Sequence, residues 1–175
     1  MMKPETIPRN TIHSHVRRKI MTSVKTGEKA PAFTAQDQTG NTISLGDYKG
    51  KKLVLYFYRE DDTPTCTDQA CNLRDNYSML AEQGFSILGV SPDTVEKHAK
   101  FADKFSLPFP LLADPEHKII NAYGVWGEKN LYGRKYDGLH RTTVLIDEEG
   151  VIRKIFLKPK SREHAEEIIK AWEKV

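Results

Sequence analysis

Two cysteines, Cys66 and Cys71, are the only thiols in the chain, and both fall in one short segment, "TPTCTDQAC", residues 63–71. An ionised thiol is a strong nucleophile, and two thiols close in sequence can cycle between dithiol and disulfide. The spacing is not C-x-x-C, and no second couplet exists to complete a zinc site. Two cysteines in 175 residues are too few for a disulfide scaffold. They point to a reducing compartment, where a close pair is more often redox-active than structural.

The residues ahead of the pair give it a local frame. The apolar run "KLVLYFY" (52–58) reads as a buried strand that leaves through the polar "REDD". Thr63-Pro64 is then a strong helix start, with Thr at the N-cap and Pro at the first helical position. Cys66 falls in the first turn, where unpaired backbone N–H groups and the helix dipole favour an anion. A free thiol is only about 3% ionised at neutral pH, so that position matters to a nucleophile. In an intact helix Cys71 lies about 140° around from Cys66, at a Cα–Cα distance of about 8.6 Å. A disulfide needs less than about 7 Å. Either the two never bond, as two inert cysteines on an apolar stripe, or the first turns unwind when Cys66 is oxidised.

Around this segment the pattern alternates between strand and helix. "FSILGVS" (85–91) is a second buried run, and "TTVLID" (142–147) and "VIRKIFL" (151–157) flank a Glu-Glu-Gly turn. "FTAQDQTGNTISL" reads as a small edge hairpin. Apolar spacing predicts helices over 64–83, 93–106, 115–123 (entered through Asp114-Pro115) and from Ser161 to the end. The order is β-α-β-α-β-α-β-β-α, an α/β fold with a mixed central sheet and helices on both faces. The Gly-rich stretch "GVWGEKNLYGRKYDG" reads as turns, with Trp126 and Tyr132 as loop-anchoring aromatics.

A mean hydropathy of −0.58 and 38% hydrophobic residues describe a soluble globular chain. No apolar run reaches the ~18 residues of a membrane span. Residues 1–20 hold Lys3, Arg9, Arg17, Arg18 and Lys19 against Glu5, a charge of +4; the whole chain carries +3, so the rest sums to −1. A nearly neutral body argues against nucleic acid as a partner. The basic arm lacks a secretory signal's apolar core. It reads as a disordered extension over 1–24 ahead of one domain over 25–175, in a cytoplasmic protein, with organellar targeting the lesser alternative. The six histidines show no metal-ligand spacing, and neither metal nor organic cofactor is expected.

The segment "YFYREDDTPTCTDQACNLRD" (56–75) closely resembles the active-site segment of peroxiredoxins of the bacterioferritin-comigratory, or Q, type. The resemblance continues through "ILGVSPD", "FPLLADPEHKIINAYGVW" and "GLHRTTVLIDEEGVI" and covers about residues 25–175. It implies a thioredoxin-like fold and reduction of hydrogen peroxide and alkyl hydroperoxides. The family motif Pro-x-x-x-Thr/Ser-x-x-Cys maps its Thr onto Thr63 and its peroxidatic cysteine onto Cys66; the resolving cysteine maps onto Cys71 and the family Arg onto Arg141. The reductant it implies is thioredoxin or a similar dithiol, and the expected state is a monomer. Three positions depart from the pattern: Arg59 replaces the motif's Pro, Glu60 a common Lys, and Thr65 the usual Gly. Arg59 would add a cation near the thiol, while Glu60, Asp61 and Asp62 would oppose it. Two rival readings stand beside the two-cysteine cycle: a peroxidase using Cys66 alone, and a non-catalytic redox sensor.

Overall fold

The computed structural model describes residues 22–175. The expectation for residues 1–21 therefore lies outside the described residues. Among the described residues, nine strands and five α-helices follow one another. The first half contains β1 (Thr34–Gln36), β2 (Thr42–Ser44), β3 (Lys52–Phe57), α1 (Pro64–Asp75), α2 (Tyr77–Glu82), β4 (Phe85–Ser91) and α3 (Val95–Phe105). The second contains β5 (Leu111–Ala113), α4 (Lys118–Tyr123), β6 (Trp126–Leu131), β7 (Arg134–Leu139), β8 (Thr142–Ile146), β9 (Ile152–Phe156) and α5 (His164–Trp172).

Five strands form the central sheet in the order β5-β4-β3-β8-β9. The β3–β4 and β4–β5 pairs are parallel, and β3–β8 and β8–β9 are antiparallel. The mixed sheet and its thioredoxin-like layering follow from the continuous apolar runs, because a strand covered on both faces has no polar side. Val54, Tyr56, Ile87, Leu111 and Leu145 face one layer, where Cys66, Ala70, Leu73, Leu80, Phe101 and Ile168 bring in α1, α2, α3 and α5. Leu53, Leu55, Phe57, Leu88, Val90 and Val144 face the other, covered by Ile119, Ile120 and Tyr123 of α4 and by Phe33. On that second face α4 ends at Gly124, whose φ is +67°; a Cβ there would lie 2.5 Å from the Ser23 backbone nitrogen. The Ser23 hydroxyl donates to Ala122 O at 3.0 Å, so the segment Thr22–Val24 lies against the end of α4.

Three expectations change. The stripe over 64–83 is two helices, not one, because Asn76 interrupts it: its side-chain amide donates to Asn72 O at 2.8 Å and competes for a helical acceptor. The helix expected at 115–123 begins at Lys118. Asp114 and Pro115 open a turn, closed by His117 N donating to Asp114 O at 3.0 Å, and the Asp114 carboxylate accepts from Ile120 N at 2.8 Å. The stretch read as Gly-rich turns is a two-stranded ribbon, β6 paired with β7, turning through Tyr132 and Gly133. Both turn residues have positive φ, 50° and 80°, as a two-residue hairpin requires. Tyr132 at its tip is 99% exposed and anchors nothing; Trp126 packs against His117 with the rings tilted by 39° and their centroids 4.5 Å apart.

Candidate active site

The register of β3 against β8 brings the site together. Phe57, at the end of β3, pairs with Thr142, at the start of β8. The segment leading into α1 and the residue preceding β8, Arg141, therefore emerge at the same end of the sheet. Thr63 is extended (φ −83°, ψ 150°) and is the N-cap of α1, with Pro64 at the first helical position. Its carbonyl accepts from Thr67 N at 2.8 Å. Its hydroxyl does not cap the helix but donates to Glu60 O at 3.1 Å.

Cys66 is thus in the first turn, as its sequence position predicts, and only 3% exposed; Cys71 is half-buried, and both are free thiols. Both lie within one intact helix, the geometry that keeps them apart. Burial, above all, pushes the Cys71 thiol upward, with Arg74 opposing and Asp75 and Asp68 assisting.

Arg141 is half-buried, and its Nη2 donates to the side-chain oxygen of Gln69 at 2.9 Å. Burial lowers its pKa, while the Cys66 charge pulls the other way. Arg141 Nε, Gln69 Nε2 and Thr67 Oγ1 are buried polar atoms with no hydrogen-bond partner among the described residues, as is the hydroxyl of Tyr56 beneath the helix. Burial holds Tyr56 well above its ordinary range, with Asp61, Cys66 and Cys71 adding to the effect, so it stays a neutral phenol. Gln69 was not singled out from the sequence. Its signal was the three-residue step from Cys66, one helical turn along the same face.

One further cation, Lys129, belongs to the surroundings of the thiol. Lys129 of β6 lies across Gly138 of β7, with its Cδ 3.1 Å from where a Cβ would sit. Burial lowers its pKa first; Arg59 and Arg141 lower it further and Cys66 opposes them. Lys129 is therefore within electrostatic reach of Arg59, Arg141 and Cys66. His140, flanking Arg141, is tied to the ribbon: its Nε2 lies 3.1 Å from Glu128 O.

The three acids ahead of the helix do not confront Cys66 as bare charges. Each is held by α3: Glu60 by Lys97 at 2.7 Å, Asp61 by His98 at 2.6 Å and Asp62 by Lys104 at 2.8 Å. Pairing on the spot cancels most of the opposing field that the sequence suggested. Asp61, Asp93 and His98 approach one another closely enough to suggest a cation site, but hydrogen bonds already use their facing atoms.

Comparisons with known proteins agree with this arrangement. Residues 26–155 match the AhpC/TSA family. Peroxiredoxin Bcp of Bacillus subtilis is 46% identical over 147 residues, 84% of this chain and 94% of that protein. Peroxiredoxin Bcp of Escherichia coli is 42% identical over 149 residues, 85% of this chain and 96% of that one. The solved bacterioferritin comigratory protein of Xanthomonas campestris superposes with a TM-score of 0.79 at 30% identity, covering 86% and 98% of the two chains. The chain belongs to the AhpC/TSA family, as a peroxiredoxin of the Bcp type. It is accordingly a thiol peroxidase, an oxidoreductase with peroxide as acceptor.

Proposed function

We propose that Cys66 is the peroxidatic nucleophile of a two-cysteine cycle and Cys71 its resolving partner. The observation that supports it best is the buried Cys66 in the first turn of α1, with Arg141 fixed beside it through Gln69. In this reading the Cys66 thiolate attacks one peroxide oxygen. The O–O bond breaks, the other oxygen leaves with the electron pair, and a proton converts it to water or an alcohol. Cys66 becomes a sulfenic acid, oxidised by two electrons. The donors that meet the developing negative charge are first-turn N–H groups and the Arg141 guanidinium, fixed before the reaction and shielded from water. Thr63 contributes its hydroxyl oxygen as an acceptor for the peroxide proton, since its own proton is committed to Glu60 O.

Resolution follows when the first turns of α1 unwind. The Cys71 thiolate displaces hydroxide from the Cys66 sulfenic acid, a proton makes that water, and a disulfide forms. Thioredoxin or a similar dithiol returns both to thiols. Hydrogen peroxide and alkyl hydroperoxides are the substrates, and the enzyme works as a cytoplasmic monomer. The test is the intact mass of reduced protein after one equivalent of hydrogen peroxide, quenched within seconds. Loss of two hydrogens mapped to Cys66–Cys71 is expected. Gain of one oxygen would leave Cys66 acting alone, and no change would remove Cys66 as nucleophile.

A further inference from the structure

We propose that His98 is a positioning residue for the thiol cycle. With Tyr58 and Asp61 it fixes the backbone just ahead of α1, and so sets how the Cys66 sulfenic acid divides between disulfide formation and further oxidation. The proposal rests on the two-cysteine cycle above.

Tyr58, Asp61 and His98 are 1%, 3% and 0% exposed. Burying a carboxylate and an imidazole is costly unless their polar atoms are satisfied. Here they are. The Tyr58 hydroxyl donates to Asp61 Oδ1 at 2.5 Å, and Asp61 Oδ2 lies 2.6 Å from His98 Nδ1 with one proton between them. His98 Nε2 donates to Leu112 O at 3.0 Å, tying the network to β5. Asp61 N donates to Asp93 Oδ2 at 2.7 Å, and that same oxygen accepts from Ser91 Oγ at 2.8 Å. A fully satisfied buried network is rigid and admits one arrangement. The neighbouring Asp62 is held in a left-handed conformation, φ 64°, and is itself gripped by Lys104.

The other side of the cysteine pair is also fastened. Asn72, next to Cys71, donates from Nδ2 to Arg162 O at 2.8 Å and accepts at Oδ1 from Ala165 N at 2.8 Å, docking α1 on the start of α5. The two anchors bracket Pro64–Cys71, the stretch that holds both thiols. Unwinding is thereby confined to about two turns, and rewinding starts from a backbone already placed at Thr63, which lowers the cost of helix nucleation.

The division of products follows from the helix equilibrium. While α1 is wound, the Cys66 sulfenate meets only a second peroxide: it attacks one oxygen, water leaves, and a sulfinate remains. While α1 is unwound, Cys71 reaches the sulfenic acid and forms the disulfide with loss of water. A firm anchor favours the wound form and a loosened one favours the disulfide.

The experiment compares His98→Asn with wild type under graded hydrogen peroxide in the presence of a recycling dithiol. Sulfinic acid and disulfide are counted by intact mass. We expect His98→Asn to need about tenfold more peroxide for half-maximal sulfinic acid, as loss of one charge-assisted hydrogen bond allows. Its first reaction with peroxide should slow at the same time. Lys104→Met, which frees Asp62 at an exposed position, should shift the division about twofold. Ile152→Val, on the opposite face of the sheet, supplies a core variant of lowered thermal midpoint whose division should not move. An unchanged division in folded His98→Asn, or an equal shift in Ile152→Val, would overturn the proposal. Should His98→Asn not fold, an unchanged Lys104→Met overturns it. Absence of any disulfide in the wild type would instead sink the two-cysteine reading.

Discussion

Cys66 and Cys71 share one helix and one residue type, yet their surroundings differ almost completely. Cys66 is buried against the sheet and is coupled to charges from two other parts of the chain: Lys129 on the ribbon and Arg141 before β8. Cys71 is half-buried, and the charges its thiol feels come from its own helix, Arg74, Asp75 and Asp68. The helix places both thiols, but only tertiary structure distinguishes their surroundings. In the proposed cycle, five residues of sequence separate the reactive centre from its reserve thiol.

The largest test of this contrast is to exchange the cysteines for serine one at a time. Cys66→Ser should abolish peroxide consumption in a stopped-flow assay. Cys71→Ser should leave the first reaction within about twofold and stop at the sulfenic acid, with turnover by a dithiol lost or rerouted. Next in size, Arg141→Met should slow that first reaction about a hundredfold, the scale of removing one fixed donor from a developing oxyanion. Gln69→Leu should reproduce part of that loss, because Arg141 loses its acceptor without losing its charge. If Gln69→Leu reacts at the wild-type rate, the Arg141–Gln69 contact does not position the guanidinium.

Cys71 offers a smaller measurement. Its alkylation by iodoacetamide, followed by peptide mass, should titrate with a midpoint above that of an ordinary thiol, since burial raises its pKa. Smallest is an effect on stability, read at the start of α5. His164 on α5 is lowered by burial, and Glu167 is lowered because its bonds to His164 and Lys160 outweigh its own burial. The unfolded chain therefore takes up protons that the folded form refuses, first at His164 as pH falls through about 6.5 and then at Glu167 near about 4.3. Thermal midpoints should decline in that order on acidification, and His164→Gln should remove the first step.

Much of this was legible locally. Thr63-Pro64 announces a helix start, which fixes Cys66 in its first turn without knowledge of any distant residue. The continuous apolar strands announce a two-faced sheet. Arg141 was reached by resemblance alone, since its partner Gln69 lies 72 positions away in sequence. Lys129 and His98 carried no local mark: one is placed by ribbon pairing and the other by a buried acid in another segment. The ribbon was missed because glycines and charges hide its alternation, and Asn76 because its helix-breaking bond is made by a side chain. The acids at 60–62 were visible, but their charge balance was not, since it depends on α3.

Thr22–Val24, the first of the described residues, lie against the end of α4 on the sheet face turned away from α1. For anyone building on this enzyme, that geometry selects a point of attachment. A surface tether or fluorescent domain fused directly at Thr22, in place of residues 1–21, would leave from the far side, with the thiols open to peroxide and reductant. Gly124 should be kept in any such design, because a side chain there would push on the very segment bearing the load.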